Sequence, residues 1–469
     1  MVFSSLVFLY FFLPLNLLLY YVSGNLVYRN ILLTLFSFFF YAWGEPVWIV
    51  LLLFSALFDY GNGILIERLN NRTKAKLVVV FSIVINLGLL VAFKYSGFLY
   101  DNLSLLIDLP FARPEVTLPI GISFYTFQTI SYTIDVYRGD VKAQKNPMNF
   151  LLFVSLYHQL VAGPIVRYKT IADEINGRKF HWDDFSSGIG RFSLGLFKKI
   201  VIANTAGALV DSYLIDNFDL LTSPTAWFGL SLFSVQIYFD FSGYSDMAIG
   251  LGRMFGFHYD ENFKNPYAAN SITDFWRRWH ISLSSFFRDY VYIPLGGNKV
   301  GKFRMYLNIL IVWGLTGFWH GASWNYMLWG LYFALILFIE KGFLLSFYSM
   351  IPSLFRYSIT LILVVFGWSL FYFEDLSKWS LFCSNLFDFS PNQILAFSFD
   401  LRQNLFWFLL VILFCIPWNE LPFFTKRWDA IQTNQFVFSS KIIIHIVVLL
   451  VCTSFLVGSS YNPFLYFRF

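Results

Sequence analysis

Cysteine is nearly missing from this chain. Its three copies, Cys383, Cys415 and Cys452, are odd in number and share no spacing, which argues against a disulfide framework and against a thiolate metal site. Charge is thin as well, at 13% of residues, and the net +5 is small for 469 positions and gathered in particular loops. It reports orientation better than it reports a nucleic-acid partner, and no such partner is expected. No phosphate-binding glycine loop followed by Lys-Ser or Lys-Thr occurs, nor a cluster of metal ligands, so neither a metal nor a permanently bound cofactor is expected. Basic residues are missing ahead of the opening apolar run, Val2 to Tyr21, and no small-residue cleavage site follows it. The run reads as a retained span, not a signal peptide. With no fixed-period repeat, low-complexity tract or Pro/Ser linker, residues 1–469 are read as a single domain.

What the chain has instead is apolar surface. Hydrophobic residues make up 57% of it and aromatics 22%, too much to hide in one water-soluble core. Runs of roughly 20 apolar residues, the length that crosses a hydrocarbon slab of about 30 Å, recur along its length. The expected class is an all-α, polytopic membrane protein with the lipid bilayer as solvent. Loop charge orients it: residues 67–76 carry four basic groups and one acidic, whereas 95–117 carry three acidic and one basic. Placing basic loops in the cytosol gives about twelve crossings and puts both termini outside. Residues 147–165 start and end on the cytosolic side and read as a re-entrant segment. The stretch 252–304 is too polar to face lipid and too aromatic to be a free loop, so it is expected to fold back as a cytosolic-side funnel.

Ionisable groups inside an apolar bundle are costly and usually face a cavity or a partner. His320, in GLTGFWHGASWN, sits at a break between two apolar runs, and Gly314, Gly317, Gly321 and Ala322 leave room for close helix approach or for a ligand. The competing reading is a hydrogen-bonded packing histidine. His280 lies in NSITDFWRRWHISLSSFFRDYVYIPLGG. Ser271 and Asp274 make a capping-box signature, and Pro294, Gly296 and Gly297 stop the run, which predicts one helix of about five turns with His280 on its buried aromatic stripe. Taken alone, that stripe is as well explained by packing.

In VQIYFDFSGYSDMAIGLGRMFGF, Asp240, Ser242, Tyr244 and Asp246 interrupt a spanning segment. Two carboxylates desolvated there must be paired or wet, so they should line an interior tunnel or pair with Arg277, Arg278 or Arg288. A purely structural polar network is the alternative. Those three arginines could also clamp the phosphates of a nucleotide-like donor, because guanidinium forks match phosphate oxygens, or serve only as positive-inside charges. The final six residues, 464–469 (FLYFRF), form an aromatic tail. It suits a membrane-interface belt, but the Tyr466 hydroxyl on such an end could also reach a pocket and accept an acyl group.

Together these motifs resemble the membrane-bound O-acyltransferases, in the bacterial branch that holds alginate and peptidoglycan O-acetyltransferase membrane subunits. The match is most specific over QIYFDFSGYSDMAIG, the WRRWH segment, WHGASWN and the FLYFRF tail, and it extends over essentially the whole chain. The resemblance implies a ring of spanning helices around a thinned centre, where a cytosolic funnel meets an exterior opening. It makes His320 the signature catalytic histidine, His280 the upstream second histidine, and Tyr466 an acyl acceptor in a relay hexapeptide. Arg277, Arg278, Arg288, Trp319, Asp240, Ser242 and Tyr244 are the residues expected to contact the donor. The donor implied is acetyl-CoA. The implied partners are an extracytoplasmic acetyltransferase of the SGNH type and an extracytoplasmic polysaccharide, at a bacterial inner membrane. Two rivals remain at this stage: D-alanyl delivery to teichoic acid from a carrier protein, and a transporter of a polysaccharide or lipid-linked substrate.

Overall fold

The computed structural model describes residues 1–161, 163–390, 394–420, 435–459 and 461–465, and all regular structure among them is helical. Contacts divide the chain into two compact units, Met1–Phe192 with Tyr244–Asp260, and Ser193–Gly243 with Glu261–Phe469.

The first unit is built on α1 (Leu13–Val22), α2 (Leu26–Ala42), α3 (Ile49–Arg68), α4 (Arg72–Leu90) and α5 (Ile122–Arg138). Asn25 and Asn71 cap α2 and α4 by accepting the first free amides, as polar side chains do at helix starts. A buried carboxylate ties α3 to α4. Asp59 accepts from Ser82 Oγ at 2.6 Å and from Asn86 Nδ2 at 2.7 Å, hydrogen bonds that offset the cost of placing a charge among apolar helices. The segment expected to re-enter forms α6 (Pro147–Ser155), breaks at Leu156, and continues as one short turn, Tyr157–Leu160. From Leu152 to Leu160 every side chain is buried, and the Tyr157 amide donates to Ser37 Oγ where the helix breaks.

The second unit contains the continuation of α7 (Trp182–Phe197), most of the 32-residue α8 (Ser223–Met254), then α9 (Ile272–Arg278), α10 (Ile281–Phe287), α11 (Lys302–His320), α12 (Trp324–Ile339) and α13 (Ser353–Tyr372). Its core is aromatic. Trp276 meets Trp313 edge-on at 4.7 Å between ring centres, and Trp329 and Trp368 are almost fully buried. Helices α11 and α12 touch backbone to backbone: a Cβ on Gly317 would lie 2.4 Å from the Tyr326 carbonyl oxygen, and one on Gly330 2.4 Å from that of Trp313.

Among the described residues six helices are long and apolar enough to cross a bilayer, and seven if Phe397–Gln403 and Leu405–Cys415, bent by 73°, make one broken span. Two shorter apolar helices, Phe8–Val22 and Leu26–Ala42, add to them. The sequence-based count of about twelve also included runs whose polar residues or short helices do not meet that measure.

One expectation is overturned. Residues 271–290 do not form a single helix. It breaks at Trp279 and His280, where Trp279 is extended and His280 takes a left-handed conformation with φ 43°. The cause is a distant strand of chain. Lys264 N donates to the Arg278 carbonyl and Ile281 N to the Asn262 carbonyl, so residues 262–264 take over backbone groups that a continuous helix would have paired internally. Of the seven positive-φ residues among those described, five lie between Gly256 and Gly297, which makes this stretch a folded loop carrying short helices.

Candidate active site

His320 is the last residue of α11, before an extended Gly321 ends the helix. The backbone contact of α11 with α12 fixes that end. The imidazole is 9% exposed and packs edge-on against Trp329 at 5.0 Å and Phe371 at 5.2 Å. It borders two cavities.

The larger cavity, about 290 Å³, is lined by Arg277, His280, Arg288 and Lys341 together with Thr273 and Thr316. Arg277 and Lys341 have no ion pair among the described residues, and the buried Thr273 hydroxyl has no hydrogen-bond partner there. Helix α9, which presents Arg277, is capped twice. Ser271 Oγ accepts from Asp274 N at 2.9 Å, as the capping-box signature predicted, and the buried Glu340 carboxylate accepts from Ile272 N at 2.9 Å and Thr273 N at 3.1 Å.

The network around His280 fixes its tautomer. Asn262 Oδ1 accepts from Ser282 N at 3.1 Å and Ser282 Oγ at 2.9 Å, and lies 3.2 Å from His280 Nδ1. An oxygen that already receives a backbone N–H can only receive from the ring as well, so Nδ1 carries the proton. Nε2 is then a lone-pair acceptor, buried, with no partner among the described residues. Burial pushes this imidazole down to about 3, which keeps it neutral.

The smaller cavity, about 30 Å³, has aromatic walls from Trp279, Trp329, Trp368 and Phe371. Asp240, Phe464 and Leu465 close it. Asp240 pairs with Lys199 at 2.6 Å and accepts from Leu465 N at 2.8 Å.

The model of the family described as "MBOAT, membrane-bound O-acyltransferase family" matches residues 33–383. The chain belongs to the membrane-bound O-acyltransferases. A "Probable alginate O-acetylase AlgI" of Pseudomonas putida is 39% identical over 100% of both chains. One of Pseudomonas aeruginosa is 44% identical over 84% of this chain and 76% of its own. A "Peptidoglycan O-acetyltransferase" of Helicobacter pylori is 33% identical over 81% of this chain and 78% of its own. This acyltransferase therefore stands in the branch of alginate and peptidoglycan O-acetylating enzymes, and it is a multi-pass membrane protein.

The residues singled out in this acyltransferase's sequence divide accordingly. His320, His280, Arg277 and Arg288 meet at the larger cavity, although Arg288 is ion-paired with Asp289 at 2.7 Å. Trp319 lines neither cavity but packs against both imidazoles, at 5.0 Å from His320 and 5.9 Å from His280. Arg278 also stands apart, bound to Asp274 at 3.0 Å and Glu420 at 2.6 Å. Ser242 is buried outside both cavities, and Tyr244 stacks on Phe3 at 4.5 Å. The expected pairing of the α8 carboxylates with Arg277, Arg278 or Arg288 is corrected: Asp240 is held by Lys199 and Asp246 by Arg191 at 2.7 Å. Tyr466 lies outside the described residues. Glu340 and Lys341 escaped sequence reasoning; the available signal was an adjacent acid and base closing the apolar run after Ile339.

Proposed function

We propose that this enzyme takes acetyl from cytosolic acetyl-CoA and passes it through the membrane for O-acetylation of an extracytoplasmic polysaccharide. The observation that carries the reading is the position of His320, whose ring borders a roomy cationic cavity and a small aromatic one that ends at the C-terminal segment. Acetyl-CoA is charged and cannot cross lipid, while its acceptor hydroxyls lie outside. Transfer without moving the CoA needs a base reachable from two directions.

Arg277, Lys341 and Arg288 offer cations for the donor phosphates. The acetyl thioester then lies beside His320, which removes the proton from an incoming hydroxyl as that oxygen attacks the carbonyl carbon. The C–S bond breaks, and CoA leaves as its thiol after taking up a proton. General-base help of this kind is worth about 10²- to 10⁴-fold. With its proton on Nδ1, His280 is better suited to accept an N–H of the donor's amide arm than to donate to an oxyanion, so it is assigned donor orientation. Trp319 keeps the two imidazoles in register. Tyr466 supplies the attacking hydroxyl, and an SGNH-type exterior enzyme finishes delivery to the polymer. The setting is one O-acyltransferase domain with about twelve spans in a ring around a tunnel, in a bacterial inner membrane, its termini outside and residues 252–304 forming the cytosolic funnel.

The support from relatives is that the alginate and peptidoglycan O-acetylating proteins match most of the chain. Intact-mass spectrometry after incubation with acetyl-CoA tests the reading. One acetyl on the wild-type tail, absent from His320→Ala and Tyr466→Phe, is expected; an adduct of full yield in the His320 variant removes the histidine from the mechanism. No transfer from acetyl-CoA, with transfer from a D-alanyl carrier protein, would replace the donor.

A further inference from the structure

The buried ion pair Lys199–Asp240 is unusual in what completes it. Both side chains are nearly inaccessible, at 2% and 4% exposure, and two charges taken out of water cost more than their attraction returns unless their remaining hydrogen bonds are filled. Here the C-terminal segment supplies one to each partner. Lys199 Nζ donates to the Pro463 carbonyl, and Asp240 Oδ2 accepts from Leu465 N at 2.8 Å. A carbonyl and an amide two residues apart are what an extended chain shows to one neighbouring strand. The pair thus offers one donor and one acceptor, as a strand residue would, and it reads main chain rather than side chain. Around it, Asn204 Nδ2 reaches Asn462 Oδ1 at 3.2 Å, and the Tyr461 hydroxyl donates to Asp211 Oδ2 at 2.7 Å. Gly207 leaves space for that hydroxyl, since a Cβ there would lie 2.8 Å from it. Lys199 itself sits in a π-helical stretch, Lys198–Ala203, a distortion that is frequent at functional sites.

We propose that Lys199 and Asp240 form a main-chain clamp for the C-terminal segment, holding Phe464 and Leu465 against the cavity beside His320 and so fixing the point from which the last four residues continue. The consequence for acyl transfer rests on the reading of Tyr466 as acceptor; the clamp does not. Both are positioning residues, because neither lines the larger cavity proposed for the donor, and this role replaces the expected donor contact of Asp240.

Carboxypeptidase digestion of the full-length protein in detergent, followed by intact mass, reads the clamp with no acyl donor present. The wild type is expected to resist trimming at residue 465, and Lys199→Met and Asp240→Asn to be trimmed past it at least about tenfold faster. In single-turnover assays with acetyl-CoA the same variants should slow acetylation by a similar factor with an unchanged KM for the donor, whereas mere loss of fold would lower the active fraction and leave the rate of the remainder unchanged. Should either single variant fail to fold, Lys199→Leu combined with Asp240→Leu leaves no unpaired buried charge and is expected to expose the tail equally. Wild-type protection in any folded variant overturns the clamp, whatever its activity. Lost protection together with acetylation that persists in Tyr466→Phe upholds the clamp and removes the acceptor role instead.

Discussion

The two cavities that meet at His320 are built on opposite rules. In the larger one, Arg277 and Lys341 share the lining without an ion pair among the described residues, and Thr273 Oγ1 and His280 Nε2 are buried without hydrogen-bond partners there. In the smaller one, the single acid is neutralised by Lys199 and capped by the chain's own backbone, and the walls are rings, with the Trp329 indole N–H left without a hydrogen-bond partner among the described residues. An unfilled polar group that has been paid for by folding marks a place for a molecule from outside, because only such a molecule removes its desolvation cost. A filled one marks where the protein binds itself. On that rule the larger cavity suits the donor of the proposed reaction, and the smaller one is where the chain lodges its own Phe464 and Leu465.

The strongest way to break this contrast is to remove the residue common to both sides. His320→Ala is expected to lower acetyl transfer from radiolabelled acetyl-CoA by about 10²- to 10⁴-fold, the range for loss of a general base. Activity within a few-fold of wild type would make His320 a packing residue. Next comes the helix contact that places it. In Gly330→Ala the new methyl meets the Trp313 carbonyl oxygen at 2.4 Å, so α11 and α12 must part, at a cost of about 1–3 kcal/mol, and both the thermal midpoint and the transfer rate should fall. Gly314→Ala, on the same α11 but with nothing within 4 Å of the added Cβ, should be neutral or stabilising by up to about 1 kcal/mol. A third comparison sharpens the donor side. Arg277→Gln is expected to raise the KM for acetyl-CoA about tenfold with little change in kcat, since it lines the cavity without a partner. Arg278→Gln, whose guanidinium is already spent on Asp274 and Glu420, should leave KM alone. Equal effects on KM from the two would end the assignment of that cavity to the donor.

Much of this site was legible because it was written locally. His320 stands at the end of an apolar run among small residues, and Gly317 does mediate the close approach that its context predicts. Ser271 caps α9 as its spacing implies. What local pattern could not carry was long-range. The aromatic stripe from Trp276 to Tyr290 keeps helical spacing straight through the break, because periodicity records which side chains are buried and says nothing of a returning segment that captures backbone groups. The same blindness misdirected the α8 carboxylates. The arginines near in sequence were candidates, but Lys199 and Arg191 come from α7 and its continuation. Lys199 drew no notice at all, since the adjacent Lys198 and Lys199 in an apolar run look like loop charges until a partner is known.

The smallest expected effect separates two histidines by the sign of their response to pH. His280 is held down to about 3 by burial, whereas the ordinary value for an unfolded chain is 6.5. Between those values the unfolded chain binds a proton that the folded protein refuses, so stability falls as pH drops through 6.5 and the loss stops growing below 3. His258 behaves in the opposite sense. Partial burial opposes its charge, but the carboxylates of Glu174, at 2.7 Å from Nδ1, and Asp184, at 3.3 Å from Nε2, raise it above 6.5. Its contribution is present in full below 6.5 and is lost as pH rises through the raised folded value. Thermal midpoints in detergent from about pH 7 to pH 5 should therefore fall less steeply in His280→Gln than in wild type and more steeply in His258→Gln. Parallel slopes in all three proteins would show that His280 titrates in the folded state, and with that the neutral imidazole assumed for donor orientation would be lost.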